Sequence, residues 1–149
     1  MWPLWLTVVV VVVPVRGIMD TFAPIPEETE AVATQIVDAA IKIHRHLGPG
    51  LLESVYEQFL AHELTLRGYK AQRQVPVPIS YEGLFVEVAY RIDLLVNNVV
   101  IVECKAVKEL HPIDFQQTRT HARLAEKRLA FLINFNTIRL KDALHRIIN

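Results

Sequence analysis

Tyr90-Arg91-Ile92-Asp93-Leu94-Leu95-Val96-Asn97-Asn98-Val99-Val100-Ile101-Val102-Glu103-Cys104-Lys105 is the stretch on which the fold turns. Two apolar, β-branched runs flank an Asn-Asn turn signal, which reads as a hairpin. The second run is apolar on consecutive positions, the pattern of a strand buried on both faces. Asp93 interrupts the first run, and Glu103 and Lys105 close the second. Burying a charge costs several kcal/mol unless it is paired or metal-bound, so Asp93, Glu103 and Lys105 need a reason to be there.

Glu103 and Lys105 lie two apart on a strand and project from one face, with Cys104 on the other. Whether Asp93 joins them depends on register. A two-residue loop pairs 96 with 99 and therefore 93 with 102, which separates the carboxylates. A three-residue loop or a bulge pairs 93 with 103 and brings them together, and that odd register is expected here. Two carboxylates and a lysine on one face suit phosphodiester hydrolysis. The acids supply oxygen ligands for a hard divalent cation, the cation helps to generate hydroxide, and the ammonium meets charge developing on the phosphorane. A buried ion network accounts for the same three residues by spacing alone.

Outward from the hairpin, the periodicity changes. Glu27–Leu47 has a helical apolar period with an acidic first turn and Gly48 as its stop. After Gly48-Pro49-Gly50 a second helix runs to about Arg67, its apolar stripe read as Leu51, Leu52, Val55, Phe59, Leu60 and Leu64. Gln72–Tyr81 alternates with prolines and suits an edge strand, Leu84–Val96 a long strand, and Val99–Cys104 the buried one. Pro112 opens a polar helix to about Glu126, Leu129–Phe135 is a further buried strand, and Leu140–Ile148 reads as a closing amphipathic helix. The order is α-α-β-β-β-α-β-α, a mixed α/β (α+β) fold in a single domain over 27–149.

Composition narrows the function. Net charge is zero, yet residues 1–104 carry 7 Lys+Arg against 12 Asp+Glu while residues 105–149 carry 9 against 4. That polarity argues against gripping nucleic acid by uniform positive charge and is compatible with acids holding a metal beside bases that meet phosphate. Ordinary surface charge explains it as well. The single cysteine excludes an internal disulfide and suits a reducing cytoplasm. Residues 1–18 form an apolar leader, with valine at every position from Val8 to Val13. The apolar stretch is shorter than the ~20 residues a spanning helix needs, and it lacks a basic n-region. A mis-assigned start before Met19, or a disordered extension, is favoured over export, and no stable membrane insertion is expected.

Gly50-Leu51-Leu52-Glu53-Ser54-Val55-Tyr56 spells G-x-x-E-x-x-Y directly after His44-Arg45-His46-Leu47-Gly48-Pro49. With Asp93, Glu103-Cys104-Lys105 and Asn134-Phe135-Asn136 downstream, the chain resembles the GxxExxY family, a branch of the PD-(D/E)XK nuclease superfamily, from about Glu30 to Asn149. The resemblance implies an α-β-β-β-α-β core of restriction-endonuclease type, with a mixed central sheet flanked by helices. It puts Asp93, Glu103 and Lys105 at metal and catalytic positions. Glu53 falls on an acid that the first core helix presents to the metal, and Gln117 on the glutamine of the helix after the third strand. Thr120-His121 stands where the family commonly has Thr-Tyr. Tyr56, one turn beyond Glu53, is a candidate to hydrogen-bond the site or stack on a base, against packing on the sheet. Arg119 and Arg123 are candidates for a phosphate-facing rim, against a plain solvated helix face. His44 reads as a capping or core histidine.

The resulting expectation is a Mg2+-dependent nuclease, with Mn2+ able to substitute, acting on nucleic acid and DNA in particular. A homodimer or a partner protein would help a chain of this size and charge to hold DNA. The competing reading is a non-catalytic nucleic-acid-binding or interaction module on the same fold.

Overall fold

The computed structural model describes residues 23–149; the leader falls outside that range. Two helices open the described range, α1 (Glu27–Leu47) and α2 (Glu53–Leu66), followed by strands β1 (Ala71–Tyr81), β2 (Leu84–Val96) and β3 (Val100–Lys105). Helix α3 (Pro112–Leu124), strand β4 (Leu129–Asn134), a 3-10 turn at Leu140–Ala143 and strand β5 (Leu144–Ile148) complete it. The sheet order is β1-β2-β3-β4-β5, antiparallel throughout except for the parallel β3–β4 pair that α3 connects. This is the mixed α/β arrangement that the period changes predict.

Alternation along β3 and β4 sorts the core into two layers. Val100, Val102 and Cys104 of β3, with Leu129, Phe131 and Ile133 of β4, pack under α1 and α2. Ile101, Ala130 and Leu132 face the other way, with Ala122 of α3. A strand covered on both faces must be apolar at successive positions, which is the physical reason for the continuous runs. Glu103 follows the parity of Ile101 and so enters the α3 side.

Two expectations are corrected. Leu140–Ile148 is a 3-10 turn and a strand. Leu140, Leu144 and Ile147 imitate a helical period, but β4 offers a free row of backbone donors and acceptors, and β5 pairs with it from Leu129↔Ile148 to Ile133↔Leu144. Alternation then sends Ile147 to the α3 layer and Arg146 to Glu30 of α1. On α2, Leu51, Leu52 and Phe59 are exposed, and the buried stripe is Tyr56, Glu57, Leu60, Ala61 and Leu64. That rotation brings a glutamate into the interior.

The β2–β3 connection decides the site. Leu94 pairs with Val102, Leu95 with Ile101 and Val96 with Val100, so the loop has three residues, Asn97 to Val99. Asn97 and Asn98 adopt φ 49° and 58°, left-handed values that asparagine tolerates better than most side chains. The turn is fastened from both sides: Asn97 N–H donates to Lys70 O and Lys70 N–H donates to Asn97 Oδ1, each at 2.8 Å.

Candidate active site

The β2–β3 ladder ends at Leu94–Val102, and the next positions in that register are Asp93 and Glu103. The ladder between β1 and β2 also lapses there: Arg73 pairs with Leu94 and Val75 with Ile92, while Gln74, between them, has φ 52°. Asp93 thus sits where neighbouring strands part. Its carboxylate turns into the gap and accepts the Cys104 N–H at 2.9 Å on Oδ2.

The surroundings of Asp93 are acidic and poorly solvated. Burial and the neighbouring Glu103 carboxylate push its pKa up to about 6, opposed by the Cys104 N–H and by Lys105. Glu53, half-buried at the start of α2, is raised by burial, opposed chiefly by the charge of Lys105 and in part by the Ala106 N–H, with Asp93 and Glu57 adding to the rise. The four residues Asp93, Glu103, Lys105 and Glu53 therefore share one electrostatic neighbourhood.

Three further residues belong to it, and sequence reasoning did not assign them. Glu57, one turn beyond Glu53, is 3% exposed and accepts from Gln74 Nε2 at 3.0 and 3.1 Å and from Arg73 Nε at 3.2 Å. Burial raises its pKa, with Gln74 opposing and the Asp93 charge adding. Gln74 Nε2 also lies 3.4 Å from Asp93 Oδ1. His121 Nδ1 meets Glu103 Oε1 at 2.8 Å. The only advance signal was the i, i+4 spacing of Glu53 and Glu57, together with the histidine in place of tyrosine after Thr120.

The remaining sequence candidates are placed differently. Tyr56 is fully buried, its ring stacked on Phe135 with centroids 4.7 Å apart. Its hydroxyl donates to Gly48 O at 2.6 Å and accepts from Leu51 N–H at 3.1 Å. The expected base contact is corrected: Tyr56 clamps the Gly48–Leu51 turn and has no free face for a base. Arg119 and Arg123 are exposed and flank His121 two residues to either side. At about 100° per residue they point roughly opposite to the face that meets Glu103, so the phosphate rim expected of them is not on the site side of α3. Gln117 is exposed one turn before His121 and makes no hydrogen bond among the described residues. His44 is buried, its Nε2 donating to Thr137 O at 2.8 Å, which fits the core reading.

The second half of the signature also holds the scaffold. Asn134 Oδ1 accepts from Val107 N–H at 3.0 Å and its Nδ2 donates to Val107 O at 2.8 Å, while Phe135 N–H donates to Lys105 O at 2.8 Å. Asn134-Phe135 thereby fixes the chain leaving Lys105, and Phe135 is the surface on which Tyr56 stacks.

A hard divalent cation fits this donor chemistry. The Asp93 and Glu103 carboxylates are neighbours, no soft ligand is accessible because Cys104 is buried, and the mutual repulsion that raises Asp93 is the kind a cation relieves. Among the described residues no group of three or more His, Cys, Asp or Glu side chains forms a ready-made cage.

The comparison with protein families points the same way. A family model of the PD-(D/E)XK nuclease superfamily matches residues 30–147, spanning α1 through β5 apart from its first and last residues. Neither the curated proteins nor the solved structures yield a match. Nucleases of the matched superfamily typically use divalent metals and act on nucleic acid. With the fold and the family match over most of its length, the chain belongs to the PD-(D/E)XK nuclease superfamily.

Proposed function

We propose that the protein is a Mg2+-dependent nuclease, hydrolysing phosphodiester bonds of DNA by attack of an activated water, with Mn2+ able to substitute. The observation that carries this reading is the β2–β3 register, in which Asp93 and Glu103 are the next positions after Leu94–Val102, with Asp93 anchored on the Cys104 N–H. We assign it within that superfamily to the GxxExxY branch, a reading supported by the G-x-x-E-x-x-Y signature from Gly50 to Tyr56.

Asp93, Glu103 and Glu53 would hold the cation, which supplies Lewis acidity at the phosphate and lowers the pKa of bound water. Lys105 carries a positive charge into the same gap, where it orients the attacking water and neutralises charge building on the phosphorane. Glu57, tied down by Gln74 and Arg73, keeps the α2 side of the gap acidic. Asn134 and Phe135 hold the backbone after Lys105 so that its ammonium is presented from a fixed strand end. Gln117, on the α3 turn before His121, would contact the scissile region. Among the described residues no helix is long and apolar enough to cross a membrane, and a reducing cytoplasm is the setting we assign.

Calorimetric titration with Mn2+ tests the metal site, using Asp93→Ala as control, followed by incubation with single-stranded, duplex and branched DNA. The reading expects wild-type binding, loss in the variant and metal-dependent cleavage of at least one substrate. No uptake by the wild type contradicts it. Uptake without cleavage on any substrate favours the non-catalytic binding module.

A further inference from the structure

We infer that His121 is a positioning residue for Glu103: its Nδ1–H holds Oε1, leaving the other carboxylate oxygen to face Asp93 and the cation. The inference rests on the proposed function, because it concerns how one of the proposed metal ligands is aimed.

The contact is buried at both ends. His121 is 8% exposed, Glu103 6%, and Nδ1 lies 2.8 Å from Oε1. An ionised carboxylate only accepts, so the shared hydrogen is the histidine's and the ring is held with Nδ1 protonated. Burying a carboxylate without a donor costs free energy, and no other side chain of α3 donates to Glu103.

The ring cannot swing away. It stacks on Tyr90 with centroids 4.2 Å apart and planes 12° from parallel. The Tyr90 hydroxyl donates to His121 O at 2.9 Å, so one tyrosine from β2 holds both the ring and the backbone of His121. Burial, and secondarily the charge of Glu103, keep the Tyr90 phenol protonated and therefore a donor. A long carboxylate side chain has three rotatable bonds, and a ligand left free to rotate loses affinity through ordering entropy. Fixing Oε1 from α3 removes that freedom, as partners of metal-ligating side chains commonly do, and their loss typically costs 10–100-fold in metal affinity.

The test compares full-length wild type, His121→Phe and His121→Asn. Phenylalanine keeps a ring to stack on Tyr90 and deletes the donor; asparagine gives up the ring and restores a donor near the Nδ1 position. Mn2+ affinity is measured by calorimetry, thermal unfolding is followed in chelator, and nitrogen-15 spectra of the wild type report which ring nitrogen of His121 carries hydrogen. Expected are an Nδ1–H ring in the wild type and Mn2+ binding weakened about 10–100-fold in His121→Phe. His121→Asn should recover to within about threefold of the wild type, although it is the less stable fold of the two variants by loss of stacking. Wild-type binding of Mn2+ matched by His121→Phe overturns the inference while leaving the proposed function standing, as does an unprotonated Nδ1. A wild type that takes up no Mn2+ contradicts the proposed function itself.

Discussion

Cys104 donates its backbone N–H to Asp93 Oδ2 across 2.9 Å, at the point where β2 and β3 stop pairing. A side chain thus replaces the backbone acceptor that a continued ladder would have supplied, and the carboxylate is fixed in the gap beside Glu103.

That relationship depends on the three-residue loop. Deleting Ile101 leaves that loop in place but slips the rest of β3 by one, so that Asp93 comes opposite Cys104 and Glu103 turns to the opposite face from Asp93. Mn2+ affinity is expected to fall at least about tenfold, the minimum for a disrupted ligand set, with the circular-dichroism spectrum still that of a mixed α/β protein. Wild-type affinity in the deletion variant would show that the register does not build the site.

The pH behaviour of the metal-free protein follows from Asp93. Its pKa is raised to about 6 in the fold, above the ordinary value of about 4. Between those values the folded state holds a proton that the unfolded chain has released, so stability falls as pH rises through this window. The loss is on the order of 2 kcal/mol, complete above about pH 6, and Asp93→Asn should abolish it. Urea unfolding in chelator from pH 4 to 7 measures the slope, and an identical pH dependence in wild type and variant would refute the assignment. Mn2+ binds the ionised form, so its affinity should rise through the same window and level off above it.

Tyr56→Phe removes the hydroxyl that joins Gly48 O to Leu51 N–H and keeps the ring on Phe135. A loss of about 1–2 kcal/mol in unfolding free energy is expected, the usual cost of deleting one partner of buried hydrogen bonds. DNA affinity should be unchanged by filter binding, and a selective loss of affinity without loss of stability would return Tyr56 to the substrate.

Arg119→Ala and Arg123→Ala act on side chains turned away from Glu103 on α3. Each is expected to change duplex affinity at moderate salt by less than about twofold, below the cost of losing a direct phosphate contact. A tenfold loss together with a shallower salt dependence would place the DNA path across that outer face.

How far the sequence carries differs between parts of the molecule. Hairpin and helices were legible because their apolar periods are long and their breaks are marked by Gly48, Gly68, Gly83 and the two asparagines. The last strand was not: Leu140, Leu144 and Ile147 carry a helical spacing, and only the vacant edge of β4 makes them extended. At the site, Asp93, Glu103 and Lys105 stood out as charges in apolar strands. Glu57 and His121 did not, since a glutamate or histidine on a helix is ordinarily solvated, and their burial depends on how α2 and α3 are rotated against the sheet. Tyr56 shows the converse. Its place in a sequence signature suggested contact with substrate, and packing on Phe135 gives it a scaffold role.

The most direct test is Mn2+-dependent cleavage of DNA by wild type and Lys105→Ala, with Mn2+ affinity measured on both. Lysine is not a ligand in this account, so the variant should bind Mn2+ within a few-fold of the wild type while its cleavage rate falls at least about a hundredfold, the usual scale for losing a charge that acts on the transition state. Equal cleavage by both proteins would contradict the claim that Asp93, Glu103 and Lys105 form one hydrolytic centre.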